Sequence, residues 1–284
     1  MSLGIGTTHT FTMNAAKKSP SLTRAASARQ NSANIIAVDC GNSRVKISDG
    51  HVVMSVDGSK DLTRFFAHRP DYVVAWSSVQ PATWNTIKKM CSKHRTIDVL
   101  KAVHTHSPLR AVKAVGAGSD RILGCAGALF RCGNEACITI DCGTATTINI
   151  VNARREFIGG MIFPGLRLMA QSLNEHTAQL PNVAFDEPAH RMDTTPGANT
   201  TAAIRSGLLH ATAGGIVSAV HAAHKQLRTT DIPVYITGGN AAILLPILKP
   251  QLSFQHVPDL VLDAIRRIAM EVMKEEALEV TKAS

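Results

Sequence analysis

Short apolar runs closed by polar turns open the patterned part of the chain. Ile35-Ile36-Ala37-Val38 has the pattern of a buried strand. It runs into the turn Asp39-Cys40-Gly41-Asn42-Ser43 and resumes as the strand Val45-Lys46-Ile47-Ser48. Asp49-Gly50 is a hairpin signal, with His51–Val56 as the return strand. The pattern then predicts a short helix around Lys60–His68, a strand over Tyr72–Trp76 and a loop through Ser77–Pro81. A helix near Ala82–His94 follows, and another over Arg121–Phe130, with Asp120 near its start.

The opening pattern then recurs. Ala136–Ile140 is a strand, Asp141-Cys142-Gly143-Thr144-Ala145-Thr146 a turn, Thr147–Val151 the next strand and Glu156–Phe163 the one after. Helices are expected over Leu166–Glu175 and Thr200–Leu227, the latter with Gly207, Gly214 and Gly215 as breaks or close-packing points. Pro233–Thr237 is a strand ending in Gly238-Gly239-Asn240, and a final helix covers Leu260–Glu279. Strands open both halves and helices follow, so the fold class is α/β with two related halves. The first half spans 34–135 and the second 136–284.

Composition narrows the picture. At 284 residues, with 45% hydrophobic and 18% charged residues, the chain can bury a sizeable core without disulfides or metals. No apolar run reaches the roughly 18 to 20 residues of a membrane helix, and no heptad or short repeat appears. None of the six cysteines forms a CxxC pair, which points to buried, reduced thiols in a cytoplasmic protein. The net charge is +9, and Lys17, Lys18, Arg24 and Arg29 lie in a stretch without acids. Residues 1–33 thus read as a disordered, dispensable basic tail. A basic surface suits nucleic acid or an anionic small substrate. Aromatics at 4% supply few stacking platforms, so nucleic acid is not the expected partner.

The candidate chemistry sits in the turns. Asp39-Cys40-Gly41 and Asp141-Cys142-Gly143 repeat one tripeptide after equivalent strands. A single copy is an ordinary turn, whereas two equivalent copies fit a duplicated fold that faces one cleft. Tight glycine turns present backbone N–H groups to phosphate oxygens, and a carboxylate beside them can hold a metal. Ser43, Thr144, Thr146 and Thr147 add hydroxyls, and Lys46 can neutralise phosphate. Gly116-Ala117-Gly118-Ser119-Asp120-Arg121 is either a flexible loop whose Asp120 caps a helix, or a substrate site. In the second case Asp120 contacts a hydroxyl and the Arg121 fork binds negative charge. Asn199 is a helix cap, and Thr200 beside it could bond substrate. Gly238-Gly239-Asn240 follows a strand and precedes a helix, and is a strand-to-helix turn with Asn240 as N-cap or a close approach to a nucleoside. The twelve histidines are scattered, and His104/His106 and His221/His224 lack a third metal ligand.

Taken in order, these motifs resemble the type III pantothenate kinases, in the fold group of actin and the sugar kinases. The resemblance runs from about Ile35 to Asp263. Asp39–Lys46 resembles the first phosphate motif, Gly118–Arg121 the G-x-D-R substrate motif, and Asp141–Thr147 the second phosphate motif. Gly159–Leu166 followed by Leu180-Pro181, Asn199-Thr200 and Thr237–Gly239 fall in family order. The resemblance implies a duplicated actin-like (ribonuclease H-like) ATPase fold and ATP-dependent phosphorylation of pantothenate to 4′-phosphopantothenate, the first step of coenzyme A biosynthesis. It implies Asp120 as catalytic base, with Gly118, Ser119, Arg121 and Thr200 on pantothenate. Asp39, Cys40, Gly41, Asn42, Ser43, Arg44, Val45, Lys46 and Thr144 would bind ATP. Asp39 would hold magnesium through ATP, and Asp141 a monovalent cation, potassium or ammonium. The implied state is a cytoplasmic homodimer, with neither nucleic acid nor membrane as partner. One departure is Ala111–Val115, which offers no aromatic where family members carry one before G-x-D-R. The other readings are a ligand-binding accessory protein of this fold without turnover, and a kinase of another small hydroxy acid.

Overall fold

The computed structural model describes residues 34–56, 59–133, 135–187 and 193–283. The basic tail read over 1–33 lies outside them. Two sheets organise the chain. The first has the order β3-β2-β1-β4-β5, from Val53–Val56 (β3), Val45–Ser48 (β2), Ile35–Cys40 (β1), Val73–Ser78 (β4) and Thr96–Asp98 (β5). The second has the order β11-β10-β7-β8-β9-β6, from Gln255–His256 (β11), Val234–Thr237 (β10), Cys137–Cys142 (β7), Ala145–Val151 (β8), Glu156–Pro164 (β9) and Ala111–Val112 (β6).

The two sheets are copies. In the first, β1 pairs antiparallel with β2 and parallel with β4, β2 pairs antiparallel with β3, and β4 pairs parallel with β5. In the second, β7 pairs antiparallel with β8 and parallel with β10, β8 pairs antiparallel with β9, and β10 pairs parallel with β11. This is the duplicated α/β arrangement that the repeated turn predicts.

Strand alternation decides which side chains face where. On β1, Ile36, Val38 and Cys40 point outward. There they pack with Leu62, Phe65 and Phe66 of α1 (Ser59–Ala67) and Trp84 and Ile87 of α2 (Pro81–Met90). On β7, Ile138, Ile140 and Cys142 likewise join Leu209, Ala213, Ile216 and Val220 of α6 (Thr200–Leu227), with Leu244 and Leu248 of α7 (Ala241–Leu248). The opposite faces meet α4 (Ser119–Leu129), which packs on β7, β8 and β4, and α8 (Leu260–Ala283), which packs on β1, β4 and α4. Between α2 and α4 lies α3 (Val99–His106), and α5 (Leu166–Glu175) follows β9.

The C-terminal helix is pinned to the first sheet by its polar side as well. Arg266 donates to the carbonyls of Ile35 (3.0 Å) and Ser48 (3.1 Å), and Arg267 to that of Phe130 (2.8 Å). Arg131 pairs with Asp263 and Arg95 with Glu276.

Several elements depart from the sequence expectation. The strand β5, the helix α3 and the two-residue strands β6 and β11 were not predicted. The three strands are only two or three residues long. The helix expected after Asn240 is α7, which runs to Leu248 with Pro246 inside it. The long helix α6 runs 28 residues unbroken. Of its glycines, Gly215 is a close-packing point, since a Cβ there would stand 3.4 Å from the Phe163 ring, while Gly207 and Gly214 face open space. Asn199 caps α6 as expected, accepting from the Ala202 N–H at 2.9 Å. The six thiols form no disulfide, and among the described residues no helix is long and apolar enough to cross a membrane.

The expected Asp49 hairpin has more behind it than its turn. The Asp49 carboxylate accepts from the N–H groups of His51 and Val52 (both 2.9 Å) and from Arg69 Nε at 2.8 Å. Although burial opposes it, these donors hold its pKa down at about 2. Removing such charge-assisted bonds costs on the order of 1.5–3 kcal/mol each. Asp49→Ala is therefore expected to lower unfolding free energy by at least about 2 kcal/mol at neutral pH. Urea denaturation checks this, and a loss below about 0.5 kcal/mol would contradict it.

Candidate active site

Asp39 and Asp141 occupy equivalent places. Each lies one residue before the end of a central strand, on the inner face that the outer helices leave uncovered. Their cross-strand partners correspond too: Asp39 pairs with Lys46 on β2 and Ser77 on β4, and Asp141 with Thr147 on β8 and Thr237 on β10. Each strand then enters a tight turn, of four residues in the first copy and three in the second. The Gly41 N–H donates to the Arg44 carbonyl and the Gly143 N–H to the Ala145 carbonyl, both at 3.1 Å. The chain after the parallel neighbour closes back in both copies, from the Val79 N–H to Cys40 O (3.1 Å) and from the Asn240 N–H to Cys142 O (2.9 Å).

The two turns touch. Ser43 Oγ lies 2.7 Å from Thr144 Oγ1, a hydroxyl bridge between the first turn and the second. Gln80 Nε2 holds the first turn at the Asn42 carbonyl (2.6 Å), and Asn240 Nδ2 holds the second at the Gly143 carbonyl (3.2 Å). Asn240 thus precedes α7 without a side-chain cap bond, and its amide serves the turn instead. Cys40 and Val45, expected among the ATP contacts, turn their side chains into the outer core, so only their backbone can face a ligand. Burial, with the neighbouring Asp39 charge, pushes the Cys40 thiol up to about 12.

Asp120 enters from the middle layer. It lies in the first turn of α4, whose N-cap is Gly118 in extended conformation, without a side-chain cap bond. The reading of Asp120 as a cap is therefore not what the helix shows. Its carboxylate folds back over Gly118, where a Cβ would stand 2.5 Å from Asp120 Oδ1. A second close approach fixes Asp141. Gly238 has φ +97°, and a Cβ there would stand 2.3 Å from Asp141 Oδ1. Only glycine meets both demands.

Electrostatics shows how these groups converge. Burial lifts the Asp39 carboxyl to about 7; Lys46 opposes the rise, and Asp120 and Asp141 add to it. Burial likewise lifts Asp141 to about 6, with Asp120 adding to the rise and Lys46 opposing it. Three carboxylates and one ammonium thus act on one another. The Oγ atoms of Ser77 and Ser119 are also buried, without a hydrogen-bond partner among the described residues.

A small inward cavity joins Asp120, Arg121, Asp141 and Thr147. Arg121 donates through Nε to Asn149 Oδ1 (2.6 Å), and its guanidinium lies 5.2 Å from the Phe157 ring centre. Asn149 and its partner Thr139 escaped the sequence reading. The only signal was a lone amide in an otherwise apolar and hydroxyl strand. Thr200, expected beside the substrate, lines a different, open cavity of about 620 Å³ with Leu173, Leu180, Asn199, Ile204 and Leu208.

The raised carboxyls carry a sign. A carboxyl whose folded pKa is raised stabilises the fold below its unfolded value near 4 and loses that contribution as pH rises through the folded value. Ligand-free protein is therefore expected to lose stability between about pH 4 and about pH 7, the range set by Asp39 and Asp141. Asp39→Asn should flatten this slope and raise the melting temperature at pH 8. Parallel pH profiles for the two proteins would contradict the assignment.

The chain is similar to known proteins. Residues 35–222 match the family model described as type III pantothenate kinase. Type III pantothenate kinases among the similar sequences include that of Herminiimonas arsenicoxydans, 42% identical over 55% of this chain and 58% of its own. That of Alkalilimnicola ehrlichii is 32% identical over 83% of this chain and 98% of its own. That of Legionella pneumophila strain Paris is 33% identical over 69% and 76%. The chain thus spans just over half of the first relative and nearly all of the second. Among solved structures, a Campylobacter jejuni protein assigned to the Baf family of transcriptional activators superposes with TM-score 0.55. It is 18% identical, over 84% of this chain and 99% of that one, a likeness of fold alone. With two sheets of one topology, two bridged turns and the matched motifs in place, the chain belongs to the type III pantothenate kinase family.

Proposed function

We propose that this chain transfers the terminal phosphoryl group of ATP to the 4′-hydroxyl of pantothenate, giving ADP and 4′-phosphopantothenate, the first step toward coenzyme A. The observation that carries the reading is the convergence of Asp39, Asp120, Asp141 and Lys46 beside two hydroxyl-bridged turns. Phosphoryl transfer asks the protein mainly for positioning and charge stabilisation. In this reading the backbone of Gly41–Arg44, the hydroxyls of Ser43 and Thr144, and Lys46 hold the phosphate chain. Asp120 accepts the hydroxyl proton as the pantothenate oxygen attacks phosphorus and ADP leaves. Arg121 receives the pantothenate carboxylate on its planar fork.

The donor set fits a hard cation. Asp39 and Asp141 offer half-buried carboxylate oxygens whose pKa values desolvation lifts, and the neighbouring donors are oxygens. Magnesium bound with ATP neutralises phosphate charge, and Asp39 would hold it through that complex. Asp141 would hold potassium or ammonium. The resemblance also carries a cytoplasmic homodimer, which the exposed apolar Met161, Ile162 and Leu168 support. An accessory protein of this fold would have no need to keep all three carboxylates.

The first test is ADP release from ATP with magnesium and potassium, with and without pantothenate. Pantothenate-dependent release is expected, and its absence from folded protein would overturn the reading. Asp120→Asn should lower turnover by about 10²-fold or more, as loss of a general base does, with the melting temperature kept. A change within about threefold would remove Asp120 from that role. Replacing potassium by sodium should depress the rate, and equal rates would remove Asp141 as a selective cation ligand.

A further inference from the structure

We infer that Asn149 is the positioning residue of the substrate site: its buried amide, tied to Thr139, holds the Arg121 Nε–H and leaves both terminal nitrogens of the guanidinium free for substrate. The inference rests on the reading of Arg121 as the pantothenate carboxylate ligand.

Asn149 is 2% exposed in the middle of β8, between Ile148 and Ile150, which join the outer core. Asparagine is a poor strand former, and a buried amide costs free energy unless its groups are paired. An apolar β-branched residue would serve the sheet better. The Asn149 amide is paired on both sides. Its Nδ2 donates to Thr139 Oγ1 at 3.0 Å, across the β7–β8 register, and its Oδ1 accepts from Arg121 Nε at 2.6 Å. Arginine has no acceptor, so the amide oxygen must face it and the amide cannot flip. Thr139 also neighbours the Cys125 thiol one turn further along α4. Arg121 is therefore held by a buried chain of neutral groups, with the Phe157 ring against its guanidinium.

Two consequences follow for chemistry. The Nε–H is used, while Nη1 and Nη2 make no hydrogen bond or ion pair among the described residues, so the planar fork remains available to a carboxylate. The partner is an amide, so the positive charge of Arg121 is oriented without being cancelled. Asp120, Arg121, Thr139 and Asn149 line one small cavity. A carboxylate on the fork sets where the rest of the substrate lies relative to Asp120.

The test compares Asn149→Leu, close in volume but without an acceptor, with Asn149→Asp, which keeps an oxygen facing Nε. Pantothenate affinity is read by titration calorimetry and KM for each substrate by ADP release. Asn149→Leu should raise pantothenate Kd and KM about tenfold or more while KM for ATP stays within about twofold, the pattern of lost substrate binding. Asn149→Asp should leave pantothenate KM clearly raised as well, because its carboxylate orients the Arg121 Nε–H but cancels the charge that the substrate carboxylate needs. Arg121→Lys should weaken pantothenate comparably, and adding Asn149→Leu to it should cost less than about twofold more, because the two residues act as one unit. Should Asn149→Leu not fold, Thr139→Val frees the other end of the amide and should raise pantothenate Kd at least about threefold. Equal rises in both KM values, or an unchanged pantothenate Kd in the folded variants, overturn the inference. If Arg121→Lys itself leaves pantothenate binding unchanged, the Arg121 reading falls and the inference with it. If Arg121→Lys weakens binding and Asn149→Leu does not, only the inference falls.

Discussion

Alternating strand faces place Asp39 and Asp141 where buried charge has to be shared. Ile36, Val38 and Cys40 on β1, and Ile138, Ile140 and Cys142 on β7, fill the outer cores. The residues between them must then point inward, and the aspartate near each strand end goes with them. A one-residue slip in either strand would send its carboxylate into an apolar core. Asp39 and Asp141 thus meet Asp120 and Lys46 in a half-buried layer, where desolvation and mutual repulsion raise both pKa values toward neutrality. A site strained in this way gains most from a ligand that brings cations and hydrogen-bond donors, as magnesium-bound ATP does.

Duplication supplies the other half of the geometry. One strand order occurs twice, so two tight turns, two parallel neighbours and two closing N–H bonds appear at matching places. The copies differ where chemistry differs. The position across from the aspartate is Lys46 in the first copy and Thr147 in the second. A cation suits phosphate and a hydroxyl suits a bound metal or its water. The middle layer is unique, because α4 brings Asp120 and Arg121, while the inner face of β8 brings Asn149.

Much of this was legible before any coordinate. The repeated Asp-Cys-Gly after apolar strands announced the duplication, because strand endings and glycine turns are local features. The hydroxyl bridge from Ser43 to Thr144, and the support of Arg121 by Asn149 and Thr139, were not legible. They join residues far apart in sequence, and nothing in either partner's neighbourhood encodes the other. The strands β5, β6 and β11 were hidden by their length. The expectation that Asp120 caps a helix failed because Gly118 holds that position and the carboxylate turns back toward the site.

The central claim is that the two turns deliver one phosphoryl group to an alcohol oriented by Asp120. ATP isotopically labelled in its terminal phosphoryl group, incubated with the protein, pantothenate, magnesium and potassium, tests it directly by mass spectrometry of the products. The account predicts the label in a phosphate ester at the 4′-hydroxyl of pantothenate. Label found only in free phosphate, or retained in ATP by folded protein, would contradict it.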